Sequence, residues 1–450
     1  MEKILLSEIV KACSGSYGYP ADKYVTSVVT DSKKVEEGSV FIAIKGERFD
    51  AHDFVGEAVS SGAVCAVTER AVDGAKCIIV DSTRAAYLSI AHHYRNKFDI
   101  PLVAVTGSVG KTTTKDFIWC VLSENFNTHK TPENRNNDIG LPETLLKLSD
   151  EHQAAVIEMG MNHQGELSKL STAAAPTICV ITNIGTSHIE NLGSRENILK
   201  AKLEILDGAD KNAPIIMCKD DEYLKKADLR GRRTIWYSVK DMSADVYAKD
   251  ITVNDDSVSF TICEQGREIK AKMNVLGLYN VKNALAAYCV GRELKMSPED
   301  IVSGIAKFKA DGIRQTVEKL GEIKIIKDCY NASPDSMGSA LELLDSVKTD
   351  GRRIAVLADM KELGKMSKDL HTKVGGFVSK SKTDILLCLG DDSRYIVSGA
   401  VKAGFNEKNT RFFEDKNELC DYLNDIKRDG DTILFKASRA MKLEEVIEKL

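Results

Sequence analysis

Val103-Ala104-Val105-Thr106-Gly107-Ser108-Val109-Gly110-Lys111-Thr112-Thr113-Thr114 decides the fold: an apolar strand runs into a glycine loop, a Lys-Thr pair follows, and a helix begins. Phosphate groups need backbone N–H groups aimed inward, and glycine lets the chain approach them closely. The partial positive charge of a helix N-terminus adds to the attraction. Lys111 is placed to reach the outer phosphates, and the hydroxyl of Thr112 or Thr113 to hold Mg²⁺. The longer pattern G-x-x-x-x-G-K-[ST] requires glycine at position 105, where this chain has Val105, so the loop is a shortened variant. Thr106, Gly107, Ser108, Val109, Gly110, Lys111, Thr112 and Thr113 are therefore the expected nucleotide site. A glycine turn before a surface helix is the plainer alternative.

Outward from this loop, Ala154–Glu158 and residues 177–183 repeat the pattern of a buried strand, a polar loop and a helix, which marks a parallel sheet. Residues 258–263 and 268–273 read as a hairpin around Gln265-Gly266. Before the loop, residues 27–30, 40–44 and 63–68 are strand-like, residues 53–61 and 85–97 helical, and Asp99 and Pro101 break the pattern. After Gly312, residues 323–327, 354–358, 385–389 and 432–436 are candidate strands, with Ser333 a helix N-cap ahead of Pro334. The expected class is α/β in three domains: an N-terminal α/β unit over 1–99, a central phosphate-loop unit with a parallel sheet over 100–312, and a C-terminal Rossmann-like unit over 313–450.

A chain of 450 residues exceeds a single core. Its hydrophobic content of 43% and charged content of 29% are ordinary for a globular protein. A net charge of −5 gives no footprint for nucleic acid or an anionic membrane surface. The 11 cysteines are scattered singly without a C-x-x-C pair, which argues against a zinc ribbon or thioredoxin-like motif and suits a reducing compartment. The opening MEKILLSEIV has no signal-sequence pattern, and no run is long enough to span a bilayer. A cytoplasmic monomer is expected.

Three further residues belong with the loop. Glu158 ends one predicted strand and His188 follows another, so both fall on the strand-end rim where open α/β sheets bind ligands. A carboxylate and an imidazole there can ligate a divalent cation. Singly, Glu158 equally fits a helix cap and His188 a solvated loop. Lys202 is more specific. Residues 194–209 read as a helix whose apolar arc contains Ile198, Leu199, Ala201, Leu203, Ile205 and Leu206, with Lys202 near its middle and Lys200 and Glu204 opposite. A lysine on a buried stripe tends to lose its proton, and the neutral amine is a nucleophile, including towards CO₂. A snorkelling lysine is the ordinary alternative.

Together these segments resemble the Mur ligase family. Thr106–Gly107–Ser108–Val109–Gly110–Lys111–Thr112 is similar to its Thr-Gly-x-x-Gly-Lys-Thr loop, Glu158 to its strand-end Mg²⁺ glutamate, Asn183 to His188 to its Asn-x-x-x-x-His loop, and Ala201-Lys202 to its carbamylated lysine. The resemblance implies that Thr112, Thr113, Glu158, His188 and carbamylated Lys202 hold or position Mg²⁺. It implies that Lys111, Lys202, His188 and Glu158 are catalytic. Leu278-Tyr279-Asn280-Val281-Lys282-Asn283 looks like the segment whose two asparagines approach adenine, and Arg314 and Asp328 match residues that reach the nucleotide from the last domain. Thr30-Asp31-Ser32-Lys33 and residues 46–54, including Arg48, look like the UDP-sugar site, with Ser32 and Lys33 meeting uracil or phosphate. A mixed-charge surface turn is the alternative there.

Within the family, several segments are similar to those of the member that adds D-alanyl-D-alanine to a UDP-linked muramoyl tripeptide. They are Asn134-Arg135-Asn136-Asn137-Asp138-Ile139-Gly140-Leu141-Pro142, residues 328–337 with Asn331, Asp335 and Ser336, residues 358–364 with His371, and Lys436-Ala437-Ser438-Arg439. Ser333 stands where asparagine is usual, and Ala358 and Ala437 where glycine is usual. The Asp-Asn-Pro-Arg signature of the member that adds the third residue is absent. The resemblance implies ATP and Mg²⁺ as cofactors, a UDP-N-acetylmuramoyl-tripeptide and D-alanyl-D-alanine as substrates, and an acyl-phosphate intermediate. A sister ligase, a non-catalytic nucleotide-binding partner and a motor-type NTPase are the rivals. The last carries a longer glycine loop and has no use for a buried lysine.

Overall fold

The computed structural model describes residues 1–46, 49–310 and 316–450. The expected site residues Arg48 and Arg314, and the expected boundary at 312/313, fall outside them.

Leu102–Thr106 is a strand whose five residues are all buried, and its Val-Ala-Val centre is flanked on both sides by parallel neighbours. Apolar residues on both faces are what a sheet covered by helices on each side requires. The sheet built on it has nine strands, ordered 128–130, 154–158, 102–106, 178–181, 215–218, 234–238, 246–253, 258–264 and 267–273. The first seven are parallel, and the last two extend the sheet as the expected hairpin. Its turn residues Gln265 and Gly266 both take positive φ, as a two-residue hairpin loop with the favoured twist demands. The chain enters at 102–106, lays 128–130 and 154–158 on one side and then crosses to the other (178–181). This reversal opens a crevice beyond the carboxyl ends of the strands.

A four-stranded parallel sheet, 27–29, 39–42, 65–68 and 77–79, lies before it. A six-stranded sheet follows, ordered 316–320, 323–328, 432–436, 353–358, 385–389 and 410–413, with only the first strand antiparallel. The strands 77–79, 215–218, 234–238, 246–253 and 410–413 were not foreseen in the sequence; most are short and lack a regular alternation. The predicted helix over 194–209 is a helix Arg195–Leu203 followed by a 3₁₀ turn Glu204–Leu206. That tightening turns Glu204 inward rather than to solvent. Its carboxylate accepts the N–H groups of Gly165 (2.8 Å) and Ser168 (3.3 Å) at the start of Glu166–Ala174.

The helix Thr83–Arg95 joins the first unit to the second. Tyr94 Oη donates to Leu148 O (2.6 Å), and the buried Arg95 guanidinium donates to the carbonyls of Phe98, Ile100 and Ala174. These bonds satisfy carbonyls in loops and, at Ala174, at a helix C-terminus. No helix among the described residues is long and apolar enough to cross a membrane, and all described cysteines are free.

At the outer edge of the nine-stranded sheet, His129 is half-buried against His152, with ring centroids 4.8 Å apart, and its Nε2 donates to Thr144 O (2.9 Å). Burial pulls its pKa down from 6.5 to about 4. A histidine held neutral contributes stability that is complete above its unfolded pKa and is lost as pH falls through the folded one. Between pH about 6.5 and about 4, therefore, the urea midpoint of the parent should fall more steeply than that of His129→Gln, which keeps a donor for Thr144. Parallel curves across that window would remove His129 as a cause.

Candidate active site

The phosphate loop sits at the crevice, and the register fixes its neighbours. Val105 pairs with Glu158, and Thr106 with Ile181, so Glu158 and the loop after Ile181 arrive on the same rim. Gly107, at φ +147°, and Gly110, at φ +82°, need to be glycine: a Cβ at 107 would run into Thr182 Oγ1, and 110 is the left-handed residue that starts the helix Lys111–Leu122.

Asn183 braces the loop from the next strand. Its carbonyl accepts Ser108 N–H (3.1 Å), its side-chain oxygen accepts Val109 N–H (3.0 Å), and its amide donates to Val109 O (2.8 Å). Thr106 Oγ1 donates to Met159 O, and Ser108 Oγ accepts Gly185 N–H, so these two hydroxyls hold the loop's shape. Lys111 folds back over the loop, donating to Gly107 O (3.0 Å) and Ser108 O (3.4 Å), while Thr112 and Thr113 stay half-buried at the first turn.

Beside the loop is a cavity of about 210 Å³ lined in part by Gly110, Thr113, Asn183, Tyr237, Tyr279 and Asn283. The two asparagines expected at adenine divide in role. Asn283 faces the cavity and accepts from Thr114 Oγ1 (3.0 Å). Asn280 lies behind it, donating to Leu276 O and accepting from Asn283 Nδ2 (3.1 Å).

Glu158 and Lys202 are each 1% exposed. Asn136 Nδ2 donates to Glu158 Oε1 (2.7 Å), while Glu158 Oε2 and Lys202 Nζ have no hydrogen-bond partner among the described residues. A buried polar atom without a partner is costly unless something else satisfies it. Burial pushes the Lys202 amine well below the usual lysine range, and the charge of Lys111 nearby pushes the same way. Both effects favour the neutral amine.

The six-stranded unit closes over this rim. Asp335, in the first turn of Pro334–Ser346, accepts from Thr186 N–H (2.8 Å) and Thr186 Oγ1 (2.9 Å). Glu362 Oε2 lies 2.9 Å from His188 Nδ1, and this contact holds the Glu362 carboxyl below its ordinary pKa. His188 itself takes φ +61° at the start of Ile189–Leu192, an uncommon conformation for a non-glycine residue. Asp328 is buried at the end of its strand beside Lys436, whose Nζ is 2.8 Å from Asp328 Oδ2 and 2.8 Å from Asn331 O.

Ser336 spends its hydroxyl in the capping box with Ser333, and Asn331 is exposed. Serine at 333 therefore caps the helix as asparagine would. Ala358 and Ala437 are fully buried at negative φ, so neither position needs glycine. His371 is structural: Nε2 accepts Met360 N–H (3.0 Å) and Nδ1 donates to Ser367 O (2.8 Å).

In the four-stranded unit, Ser32 is half-buried, 3.4 Å from Glu57, and Lys33 is exposed. His52 is buried between Asp50 and the Glu69 N–H, which it accepts at 2.8 Å, and supports the segment carrying exposed Phe49 and Phe54. Sequence reasoning gave no role to Lys115, Asn136, Glu362 or Lys436. For Lys115 a signal was present, since it shares a helical stripe with Ile118 and Leu122 as Lys202 does with Ile198 and Ile205.

A strand-end phosphate loop, with a buried lysine and a buried carboxylate each carrying an atom unpartnered among the described residues, closed by a second α/β unit, defines a nucleotide-dependent ligase-type site rather than a simple phosphate-binding domain. The chain belongs to the Mur ligase family: models for the Mur ligase family catalytic domain, the Mur ligase middle domain and the Mur ligase glutamate ligase domain match residues 24–97, 105–291 and 313–439. It is 37% identical to the UDP-N-acetylmuramoyl-tripeptide--D-alanyl-D-alanine ligase of Bacillus subtilis, over 99% of this chain and 97% of the relative. It superposes on a crystal structure of MurF from Acinetobacter baumannii with a TM-score of 0.92, at 30% identity, covering 100% of this chain and 99% of that one. The MurF ligase of Thermotoga maritima in complex with ADP matches with a TM-score of 0.86 at 30% identity, covering 94% and 97%. The architecture is the three-domain one of this family.

Asp335→Ala removes the acceptor of Thr186 N–H. A hydrogen bond to a charged group is worth about 1.5–3 kcal/mol, so amide exchange at residues 184–190 should accelerate by about tenfold or more. Exchange unchanged by the substitution would mean that Asp335 does not hold the two units together.

Proposed function

We propose that this chain is an ATP-dependent amide-bond ligase that joins D-alanyl-D-alanine to UDP-N-acetylmuramoyl-tripeptide, with ADP and phosphate as the other products. The observation that carries the chemistry is the unpartnered pair Lys202 Nζ and Glu158 Oε2 buried on the rim of the phosphate loop. The full-length match to relatives of that name carries the substrate assignment.

ATP lies on residues 106–113, with its base in the cavity bordered by Asn283. The tripeptide carboxylate attacks the γ-phosphorus, the bond to the ADP oxygen breaks, and an acyl phosphate forms. Two anions must approach, so positive charge at that point lowers the barrier most. Lys111 supplies it from the chain. Glu158 Oε2, His188 and the hydroxyls of Thr112 and Thr113 are the groups fitted to hold Mg²⁺, which keeps several waters and needs only one or two protein carboxylates. When bound, Mg²⁺ neutralises phosphate and carboxylate oxygens.

The neutral Lys202 amine is suited to take up CO₂ as a carbamate, releasing a proton. Lys111, which disfavours an ammonium there, favours that anion. The amine of D-alanyl-D-alanine then attacks the acyl carbon, the C–O bond breaks with its electron pair going to the departing phosphate, and the nitrogen releases a proton. Water must be kept out meanwhile. The contacts of Asp335 with Thr186 and of Glu362 with His188 support a role for the last unit as that cover. Asp328, oriented by Lys436, and Arg314 meet the nucleotide from this side. Ser32, Lys33 and Arg48 serve the UDP end, and Asn331, Asp335 and Ser336 border the dipeptide side. The division into 1–99, 100–312 and 313–450, a cytoplasmic location and a monomeric state complete the proposal.

Phosphate release from ATP should require both UDP-N-acetylmuramoyl-tripeptide and D-alanyl-D-alanine. Release indifferent to the dipeptide would replace this assignment with a sister ligase or a plain NTPase. Lys202→Ala should lose at least about 10²-fold in kcat, the scale for one charged group at a transition state. Protein equilibrated with ¹³C-bicarbonate should show a carbamate carbon resonance that Lys202→Ala lacks. A parent spectrum without it would remove the carbamate.

A further inference from the structure

Lys115 lies one turn beyond Lys111 on the helix Lys111–Leu122, yet its ammonium binds the chain at 131–133 rather than the phosphate loop. Its side chain is 2% exposed. Nζ donates to Thr131 O (2.9 Å) and Glu133 O (3.3 Å) and lies 3.4 Å from Asp116 Oδ1. Asp116 is shared with Lys130, which binds the same oxygen at 2.8 Å. Most of the Lys115 hydrogen bonding is thus directed at the backbone of one short segment, 131–136. A buried cation is retained only where its contacts compensate for lost hydration.

That segment makes two contacts with Glu158. Thr131 Oγ1 accepts Glu158 N–H (2.9 Å), and Asn136 Nδ2 donates to Glu158 Oε1 (2.7 Å). It is closed by Gly160 N–H donating to Asn136 O (2.8 Å), and a side chain at 160 would collide with Asn136. Glu133 sits at φ +49°, a conformation that a non-glycine residue keeps only when its surroundings impose it. The Lys115 ammonium on its carbonyl is one such constraint. With Oε1 committed to Asn136, Glu158 has one definite orientation and one open oxygen, Oε2.

We propose that Lys115 is a positioning residue for the reaction centre: by clamping Thr131 O and Glu133 O it holds the 131–136 segment so that Asn136 fixes one oxygen of Glu158 and leaves the other for the cation. This rests on Glu158 as a cation-binding carboxylate, and the two ideas fail differently.

The test measures Mn²⁺, standing in for Mg²⁺, binding to the full chain with ADP by electron paramagnetic resonance, alongside ADP affinity without metal. Lys115→Met should weaken Mn²⁺ binding by about tenfold while ADP affinity without metal changes less than twofold. Asn136→Ala should weaken Mn²⁺ similarly, and the double variant should be little worse than either single one, because both act through the same carboxylate. Lys115→Gln, which keeps an amide donor group but loses the charge and the reach, replaces Lys115→Met if the latter fails to fold and should weaken Mn²⁺ binding in the same direction. A lower melting temperature with parental Mn²⁺ affinity would overturn the proposal, leaving Lys115 a purely structural lysine. So would additive effects of Lys115→Met and Asn136→Ala. Glu158→Gln is the control: if it leaves Mn²⁺ affinity unchanged, the assignment of Glu158 fails, whatever Lys115 does.

Discussion

The structure depends on the parallel pairing of Leu102–Thr106 with a strand on each side. That pairing is backbone hydrogen bonding between buried apolar strands, and it allows little slippage because a one-residue shift would turn Glu158 away from the rim. Once Val105 meets Glu158 and Thr106 meets Ile181, the phosphate loop, the carboxylate and Asn183 must converge. The bracing by Asn183 then shapes the loop, and the glycines at 107 and 110 let the brace come close.

Around that rim the chain buries three lysines for different ends. Lys436 is paired with Asp328 and shapes the loop beyond it. Lys115 is satisfied by carbonyls. Lys202 is left without a partner among the described residues, and burial together with Lys111 favours its neutral form. Burial alone therefore does not mark a reactive lysine. What distinguishes Lys202 is the absence of compensating acceptors, a property of its surroundings rather than of its position on a helix.

The units differ in how they are joined. The first is fastened to the second through a buried helix end, with Tyr94 and Arg95 spending their donors on carbonyls. The third meets the second through part-buried polar contacts, Asp335 on Thr186 and Glu362 on His188, and through apolar residues such as Met337 that share the second unit's core.

The strand-loop-helix of the phosphate site was legible in the residues because glycine, lysine and threonine at that spacing leave few alternatives. So was Lys202, because a helix repeats every 3.6 residues and a lysine on its apolar arc stands out. The same periodicity placed Glu204 towards solvent, and it failed because the helix tightens into a 3₁₀ turn and Glu204 caps a neighbour. The strands 215–218, 234–238 and 410–413 were hidden since short strands without alternation carry no period to read. The amino-acid sequence by itself determined which chemical groups the rim would carry, since loop and helix patterns are local. Only the tertiary structure decided that Asn136 fixes one oxygen of Glu158, that Asn280 stands behind Asn283, and that Glu362 reaches His188, because contacts between residues far apart in the chain depend on how sheets and helices pack.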